Sequence, residues 1–321
     1  MPVASSKVVA VRRTILQWYA RGHRDLPWRG SCDPYAVLVS EVMLQQTQAS
    51  RVADRYPRFM ARFPNVAALA SASEADVLAE WSGLGYNRRA LSLHRAATVV
   101  TASGWPPDLA GLQALPGVGA YTARAIGSLA FGWTLGVVDT NVRRWLVRRF
   151  GLDPELAGAT RPALQRLADA LASGTDDQAP HDAASWTHAS MELGAVVCRA
   201  QQPACEMCPI ASGCPSRGRA GRVPVARQHP FRGSRRAYRG ALVRALASAP
   251  DHALTRLEVA VAVGRSAATG ALVDAVDPRL TQAAIEGLER EGLAHLDGEK
   301  LRLGPNVGRE AGPRRRLQSA G

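Results

Sequence analysis

The chain reads Leu115-Pro116-Gly117-Val118-Gly119 at the point where one apolar helical pattern ends and another begins. The first pattern starts at Leu109, and the second runs from Tyr121 to Leu129. Because proline and glycine interrupt helices, this arrangement predicts two short helices joined by a tight glycine turn. Backbone N–H groups at the N-terminus of the second helix would point outward, where they can bind a phosphate.

A carboxylate follows this predicted hairpin, in the run Val138-Asp139-Thr140-Asn141. An acid close to a bound phosphate is suited to chemistry on a nucleic acid. Each feature also has a simpler explanation. Turns of this kind join purely structural helices, and Asp139 alone is well placed as the N-cap of a helix over 141–150.

The composition favours a polyanionic partner. The 321-residue chain has a formal net charge of +13, and Lys7 and Lys300 are its only lysines, so arginine supplies almost all of the positive charge. Arginine binds phosphate in bidentate geometry, which indicates DNA or RNA as the partner. The alternative is a basic tail, and the run Arg314-Arg315-Arg316 accounts for part of the charge.

Two classes of protein are disfavoured by the apolar and cysteine patterns. No apolar run is long enough to span a bilayer, and segment 7–13 is too short and too charged for a signal peptide. We therefore expect no membrane contact and a cytoplasmic, nucleoid-associated location. Four of the five cysteines fall between Cys198 and Cys214, which is not the spacing of a disulfide framework.

The clustered cysteines have the spacing of a metal site. They form a C-x6-C-x2-C-x5-C run made of Cys198, Cys205, Cys208 and Cys214. Four thiolates can hold either a tetrahedral zinc ion or a 4Fe–4S cluster. Structural zinc sites more often use two short-spaced cysteine pairs, so a run with a single Cys-x-x-Cys favours the iron–sulfur cluster. Cys32 is left over as a residue of a loop.

Local signals also mark helix boundaries. Asp33 followed by Pro34 predicts the start of a helix over 35–46, and Ser73 with Asp76 resembles a capping box for a helix over 74–81. A single long helix is predicted over 181–198.

The C-terminal third has a pattern of its own. Residues 218–235 are rich in Arg, Gly and Pro, which predicts a linker, and residues 306–321 are predicted to be a disordered tail. Between them, helices are predicted over 236–248, 256–263 and 281–291, with two short strands around a turn at Asp297-Gly298. This order resembles a winged helix, so 236–305 is predicted to be a small α+β domain.

Taken together, the motifs resemble the helix-hairpin-helix base-excision glycosylases of the endonuclease III superfamily, and within it the MutY-type adenine DNA glycosylases. Besides the hairpin and the cysteine run, the matching motifs are Leu26-Pro27-Trp28-Arg29, Ser40-Glu41-Val42-Met43-Leu44-Gln45-Gln46-Thr47, Gly83-Leu84-Gly85-Tyr86 and Glu192-Leu193-Gly194-Ala195. The resemblance covers roughly residues 7–217.

The resemblance implies a mainly α fold and a cofactor. A six-helix barrel domain with the helix-hairpin-helix would span 28–136. An all-α iron–sulfur cluster domain would combine 1–27 with 137–217, and its four cysteines would bind a 4Fe–4S cluster. The partner implied is double-stranded DNA with a mismatched or damaged base pair, bound by a monomer.

The resemblance also assigns catalytic roles. The catalytic glutamate of the family falls on Glu41 and its catalytic aspartate on Asp139, with Asn141 supporting the aspartate. Tyr121 stands where bifunctional relatives have the lysine that forms a Schiff base with the sugar. A tyrosine cannot do that chemistry, so we expect a monofunctional glycosylase.

Further residues of this chain match the substrate-binding and DNA-binding positions of the family. Gln46 and Tyr86 match side chains that wedge into the duplex, and Gly117 and Gly119 belong to the phosphate-binding hairpin. The base pocket would be formed by Arg24, Leu26, Trp28, Arg29, Leu44 and Glu192.

The chemistry of adenine excision explains why two acids are needed. Adenine leaves readily only after a ring nitrogen is protonated, and Glu41 can supply this proton near neutral pH only if burial raises its pKa. Asp139 must instead stay ionised, because it stabilises the oxocarbenium-like sugar or forms a short-lived adduct with it. The target base is extruded from the stack before this step.

Some positions depart from the family pattern and leave alternatives open. Asn87 stands where many relatives have a second tyrosine, and Thr140 where glycine is common. Residues 236–305 do not resemble the Nudix-like domain that reads 8-oxoguanine opposite the adenine, so recognition of the opposite base is uncertain at this stage. The alternatives are a thymine or uracil mismatch glycosylase and a catalytically idle iron–sulfur DNA-binding protein.

Overall fold

The structure, a computed structural model, describes residues 5–152, 160–174, 183–218, 230–268 and 276–306. Within these residues the fold is mainly helical, with one small sheet near the C-terminus, which confirms the predicted fold class. The predicted tail over 306–321 and most of the predicted linker over 218–235 lie outside the described residues.

The described helices and strands follow one another closely along the chain. The helices are α1 Ser5–Arg21, α2 Pro34–Leu44, α3 Ala49–Arg62, α4 Val66–Ser71, α5 Glu74–Trp81, α6 Arg88–Ser103, α7 Leu109–Ala114, α8 Ala120–Leu129, α9 Thr140–Phe150, α10 Arg161–Ser173, α11 Ala183–Glu192, α12 Arg235–Ser248, α13 Arg256–Ala268 and α14 Pro278–Arg290. The strands are β1 Ala253–Thr255, β2 Ala294–Asp297 and β3 Lys300–Leu303. Within the described ranges, no helix combines the length and the apolar character needed to cross a bilayer.

The chain forms two compact units. The first unit combines Met1–Ala67 with Arg95–Arg227, and the second combines Ala68–His94 with Gln228–Gly321. The boundaries of the barrel and cluster domains given above stay predictions.

Side-chain caps fix the starts of three helices. Asp33, Ser73 and Asp139 each accept a hydrogen bond from a backbone N–H group in the first turn of α2, α5 and α9, respectively. A cap of this kind satisfies N–H groups that have no partner within the helix. The predicted helix starts at these positions are confirmed.

The hairpin at the centre of the sequence consists of α7 and α8, which pack against each other. Gly117 has a φ of 78°, a conformation that favours glycine, and Gly119 is the N-cap residue of α8. Leu112, Leu115 and Val118 are buried and anchor the turn from inside. The predicted pair of short helices with a glycine turn is confirmed.

One hydrophobic core in the first unit is shared by α1, α9, α10 and α11. Ile15, Trp145 and Leu171 belong to it and are almost completely buried. The indole Nε1 of Trp145 donates to the carbonyl of Ser190 at 3.1 Å, so α9 and α11 are joined by a hydrogen bond as well as by packing. This core fixes the helix that Asp139 caps.

In the second unit, α12 packs against α5, α13 and α14. The strands form a three-stranded antiparallel sheet in the order β1-β3-β2, with Ala253 opposite Arg302 and Leu296 opposite Leu301. The order α12-β1-α13-α14-β2-β3 is that of a winged helix. The sequence analysis missed β1, because a strand of three residues is too short to show alternation.

Two predicted helix ends are wrong. The helix predicted over 35–46 ends at Leu44, because Gln46 has a φ of 55°, which lies outside the helical region. In the region predicted as one helix over 181–198, α11 ends at Glu192 and a π-helical turn, Leu193–Val197, follows it. Residues 181 and 182 lie outside the described residues.

Candidate active site

Glu41 is a buried carboxyl group in the middle of α2, only 5% exposed. Burial raises its pKa to about 7, and the negative charge of Asp139 also acts to raise it, whereas a hydrogen bond with Tyr121 acts in the opposite direction. A carboxyl group with this pKa is protonated in about half of the molecules near neutral pH and can therefore donate a proton there.

Asp139 is half-buried and caps α9. Its Oδ1 accepts from the backbone N–H of Val142 at 2.6 Å, and its Oδ2 accepts from the Asn141 amide at 2.7 Å. Burial raises the pKa of Asp139, while these hydrogen bonds and the positive charge of Arg144 act to lower it. Several groups therefore favour the anionic form of Asp139, whereas a single hydrogen bond does so for Glu41.

Tyr121, on α8, lies between the two acids. Its hydroxyl is hydrogen-bonded to Glu41, and burial together with the charges of Glu41 and Asp139 raises its pKa well above the usual value. The hydroxyl therefore stays protonated and acts as a donor. Tyr121 and Asp139 are both partly exposed, so the site is open to solvent on the side where they lie.

Asn141 and Arg144 connect Asp139 to the cysteine region. The guanidinium of Arg144 donates to Asn141 Oδ1 at 2.8 Å, to the carbonyl of Gly194 at 2.7 Å and to the carbonyl of Cys198 at 2.6 Å. A Cβ on Gly194 would lie 2.6 Å from the carbonyl oxygen of Asn141, so glycine is required at this close approach. This network orients the amide that supports Asp139.

A second group of charged residues surrounds Glu192. Oε1 of this carboxylate accepts from Arg24 Nε at 2.9 Å and from the Arg24 backbone N–H at 3.1 Å, while Oε2 accepts from Arg24 Nη2 at 2.7 Å and from Arg29 Nη2 at 2.6 Å. Burial acts to raise the pKa of Glu192, but these hydrogen bonds outweigh it and lower the pKa to about 2. Glu192 is therefore a fixed anion.

The remaining predicted pocket residues differ in their burial. Trp28 is buried and packs edge-on against Tyr56, with 6.0 Å between ring centroids. Leu26 and Leu44 are both partly buried, so each keeps an accessible apolar surface.

The two residues predicted to wedge into the duplex share an unusual backbone. Gln46 has a φ of 55° and Tyr86 a φ of 48°, and both side chains are exposed. Residues other than glycine that adopt this conformation cluster at functional sites. Around Tyr86, in the second unit, Arg89 donates to the carbonyl of Gly85 at 2.9 Å and lies 5.6 Å from the Tyr86 ring centroid.

The predicted phosphate-binding glycines lie on the surface. Gly117 and Gly119 are exposed, and no atom outside the neighbouring residues lies within 4 Å of a Cβ built on Gly119. The N-terminus of α8 therefore faces open space, where its N–H groups are accessible to a ligand.

The four clustered cysteines line one pocket of about 340 Å³. Arg148 donates to the Sγ of Cys198 at 3.5 Å and to the carbonyl of Arg199 at 2.7 Å. In the described residues, no three of the Cys, His, Asp or Glu side chains converge closely enough to hold a single metal ion. The thiols thus surround a space rather than a point.

Comparison with known proteins places this geometry in a family. A family described as "HhH-GPD superfamily base excision DNA repair protein" matches residues 39–170. The adenine DNA glycosylase of Mycobacterium tuberculosis is 43% identical over 262 residues, which cover 77% of this chain and 82% of that protein. The human adenine DNA glycosylase is also 43% identical, over 67% of this chain and 40% of that protein.

The chain belongs to the adenine DNA glycosylases. It is therefore a base excision repair enzyme that acts on DNA, and this part of the predicted function is confirmed.

Solved structures agree with this assignment at the level of the fold. A thermostable thymine-DNA glycosylase superposes with a TM-score of 0.60 at 29% identity, covering 67% of this chain and 99% of that one. Endonuclease III in a DNA complex superposes with a TM-score of 0.55 at 20% identity, covering 68% of this chain and 98% of that one. The second similarity concerns the fold alone.

Sequence reasoning missed several residues of the glycosylase site. Tyr19 lies with its ring centroid 5.6 Å from the Arg29 guanidinium, although the sequence shows it only as one apolar position of α1. Arg144 and Arg148 belong to an arginine-rich helix that is indistinguishable from an ordinary solvated face. A signal was available in the spacing, because both follow the Asp139 cap on the turns that face the cysteine region.

Proposed function

We propose that this glycosylase hydrolyses the N-glycosidic bond of adenine mispaired with 8-oxoguanine or guanine, without a lyase step. The observation that supports this most directly is the pair of acids joined through Tyr121. Glu41 is a carboxyl group held near neutral pKa by burial, and Asp139 is a carboxyl group surrounded by donors. Their different environments match the roles of proton donor and permanent anion.

In the proposed reaction Glu41 gives its proton to a ring nitrogen of the extruded adenine. The bond between adenine and the sugar carbon then breaks, and its electron pair leaves with the base. The Asp139 carboxylate stabilises the positive charge that develops on the sugar. A water molecule adds to this carbon and loses a proton, which returns the protonated form of Glu41.

Tyr121 supports a monofunctional mechanism. Its hydroxyl keeps its proton and is bonded to Glu41, so it can orient the general acid. It cannot form a Schiff base with the sugar.

The Glu192 group would form the wall of the base pocket. Both of its oxygens already accept two hydrogen bonds, so Arg24 and Arg29 hold it in a fixed orientation. A rigid charged wall opposite apolar Leu26, Leu44 and Trp28 would select an extruded base by shape and polarity.

DNA binding would involve three surfaces of the chain. The exposed N-terminus of α8 would contact a phosphate, with Gly117 and Gly119 allowing close approach. Gln46 and Tyr86 would enter the duplex at the mispair and fill the space of the extruded adenine. We propose a monomer acting in the cytoplasm at the nucleoid.

The cysteine pocket fits a 4Fe–4S cluster better than a single zinc ion, because the thiols surround a space and do not converge on a point. Cys198, Cys205, Cys208 and Cys214 would hold it, and the bound cluster would supply a covalent crosslink for this loop. Arg148 already donates to one of these sulfurs.

A second candidate is a thymine or uracil mismatch glycosylase. The observation in its favour is the thymine-DNA glycosylase superposition, which covers nearly all of that protein. Tyr121 is compatible with either substrate, because neither reaction requires a lysine at this position.

A mismatch panel tests the proposal. Duplexes with adenine opposite 8-oxoguanine, adenine opposite guanine, thymine opposite guanine and uracil opposite guanine are incubated with the protein, and abasic sites are cleaved with alkali. We expect strand cleavage only for the two adenine duplexes, and only after alkali. Cleavage confined to thymine or uracil would replace the proposed substrate, and cleavage without alkali would contradict the monofunctional mechanism.

A further inference from the structure

The segment that delivers Asp139 has no regular secondary structure. Residues 131–139 connect α8 to α9 without entering a helix or strand. Buried backbone groups in such a segment need partners from elsewhere. Both polar groups of the buried Gly136 obtain them from side chains. Its N–H donates to Asp169 Oδ1 at 2.9 Å, and its carbonyl accepts from Arg124 Nε and Gln165 Nε2, both at 2.8 Å.

The side chains that hold Gly136 are also bonded to one another. Arg124 Nη2 forms an ion pair with Asp169 Oδ1, and Gln165 Nε2 donates to the same oxygen at 3.2 Å. We call Arg124, Gln165 and Asp169 together with Gly136 the Gly136 clamp. It joins α8, which carries Arg124, to α10, which carries the other two side chains.

Contact with α10 is close enough to require glycine. A Cβ on Gly136 would lie 2.4 Å from the carbonyl carbon of Ala168 and 2.5 Å from the backbone nitrogen of Asp169. The backbone is therefore pressed directly against α10, and the clamp holds it there.

We propose that the Gly136 clamp positions Asp139 against Glu41, with Arg124 as a positioning residue for excision. Asp139 is held on its C-terminal side by its cap on α9, and the clamp holds the chain three residues before it. Arg124 lies one helical turn after Tyr121, whose hydroxyl is bonded to Glu41. The clamp thus ties the aspartate to the helix that contacts the glutamate.

This inference rests on the proposed function and predicts a specific kinetic effect. Displacing an anion that must face the sugar slows the reaction without weakening duplex binding. Misplacements of about 1 Å can cost roughly a hundredfold in rate. The negative charge of Asp139 also acts to raise the pKa of Glu41, so moving it away would shift the alkaline limb of the pH–rate profile to lower pH.

The test compares Arg124→Lys and Arg124→Ala with the wild-type glycosylase. Lysine keeps a positive charge beside Asp169 but cannot bond the carboxylate and the Gly136 carbonyl with two separate guanidinium nitrogens. The matched control is Arg239→Ala, which removes an Arg239–Glu291 ion pair of comparable exposure in the second unit. Single-turnover excision, duplex Kd, the pH–rate profile and thermal unfolding are measured for each.

We expect both Arg124 variants to lose roughly 10- to 100-fold in single-turnover rate, with Kd within about twofold and the alkaline limb at lower pH. Arg239→Ala should keep the wild-type rate. Wild-type rates and pH profiles in folded Arg124→Lys would overturn the clamp, and so would an equal rate loss in Arg239→Ala. If Arg124→Ala does not fold, Arg124→Lys decides the matter. A wild-type protein that excises no adenine would instead refute the proposed function.

Discussion

Glu41 and Glu192 are two glutamates of the first unit with nearly the same burial, 5% and 1% exposed, and opposite protonation. The pKa of Glu41 is raised to about 7, whereas that of Glu192 is lowered to about 2. Burial acts in the same direction on both. The difference arises from their partners, because Glu41 receives one hydrogen bond from a tyrosine and Glu192 receives four from two arginines.

This contrast shows how one protein obtains an acid and a permanent anion from the same residue type. Burial alone produces a proton donor, and burial with guanidinium partners produces a fixed charge. Asp139 lies between these extremes, since burial raises its pKa while an amide, a backbone N–H and Arg144 favour its charged form. The number of donors, rather than depth, decides the role of each carboxyl group.

The largest effect expected from this contrast is on catalysis. Glu41→Gln removes the proton donor but keeps size and polarity, so single-turnover excision should fall by about a hundredfold to ten-thousandfold. Duplex binding should change little, because Glu41 is buried away from the DNA surface. Excision rate and Kd measured on the same adenine mispair check this, and a variant with near wild-type rate would remove Glu41 from the mechanism.

The two glutamates should also differ in their effect on stability at pH 8. The folded-state pKa of Glu41 is above its usual value, so its contribution is fully present below pH 4.5 and is lost as the pH rises through about 7. Ionising it at pH 8 costs about 3 kcal/mol, which Glu41→Gln would avoid.

Glu192 has the opposite sign. Its folded-state pKa is below its usual value, so its contribution is present at pH 8 and is lost only as the pH falls towards about 2. Denaturant unfolding at pH 8 should therefore show Glu41→Gln more stable than wild type and Glu192→Gln less stable. Destabilisation of both by similar amounts would show that burial, not the partners, sets the two charges.

A smaller effect is expected from pH on the rate itself. Because the reaction uses the protonated form of Glu41, excision should decline above about pH 7, approaching a tenfold loss per pH unit. Single-turnover rates between pH 6 and 9 measure this decline. The control is duplex binding over the same range, which should not follow the same curve. A rate that stays level to pH 9 would contradict a neutral pKa for Glu41.

The sequence predicted the acids but not what surrounds them. Helix caps, the glycine turn and the motif register identify Asp33, Asp139 and the hairpin, because each depends on neighbours in the chain. The partners of Glu192 are more than 160 residues away in sequence, and a motif match named Arg24 and Arg29 without predicting their bonds to it. The clamp on Gly136 was missed, because nothing in the local sequence pairs Arg124 with Asp169.

The smallest expected effect comes from Tyr121→Phe, which removes the one hydrogen bond that lowers the pKa of Glu41. Without it, burial and the charge of Asp139 act unopposed, so the pKa of Glu41 should rise and the alkaline limb should move to higher pH. The change in rate at neutral pH should be a few-fold at most, since a single neutral hydrogen bond contributes about 1 kcal/mol. The pH–rate profile of this variant beside that of wild type measures the shift. A limb that moves to lower pH would mean that Tyr121 stabilises the protonated acid, and the contrast between one donor and four would then need another cause.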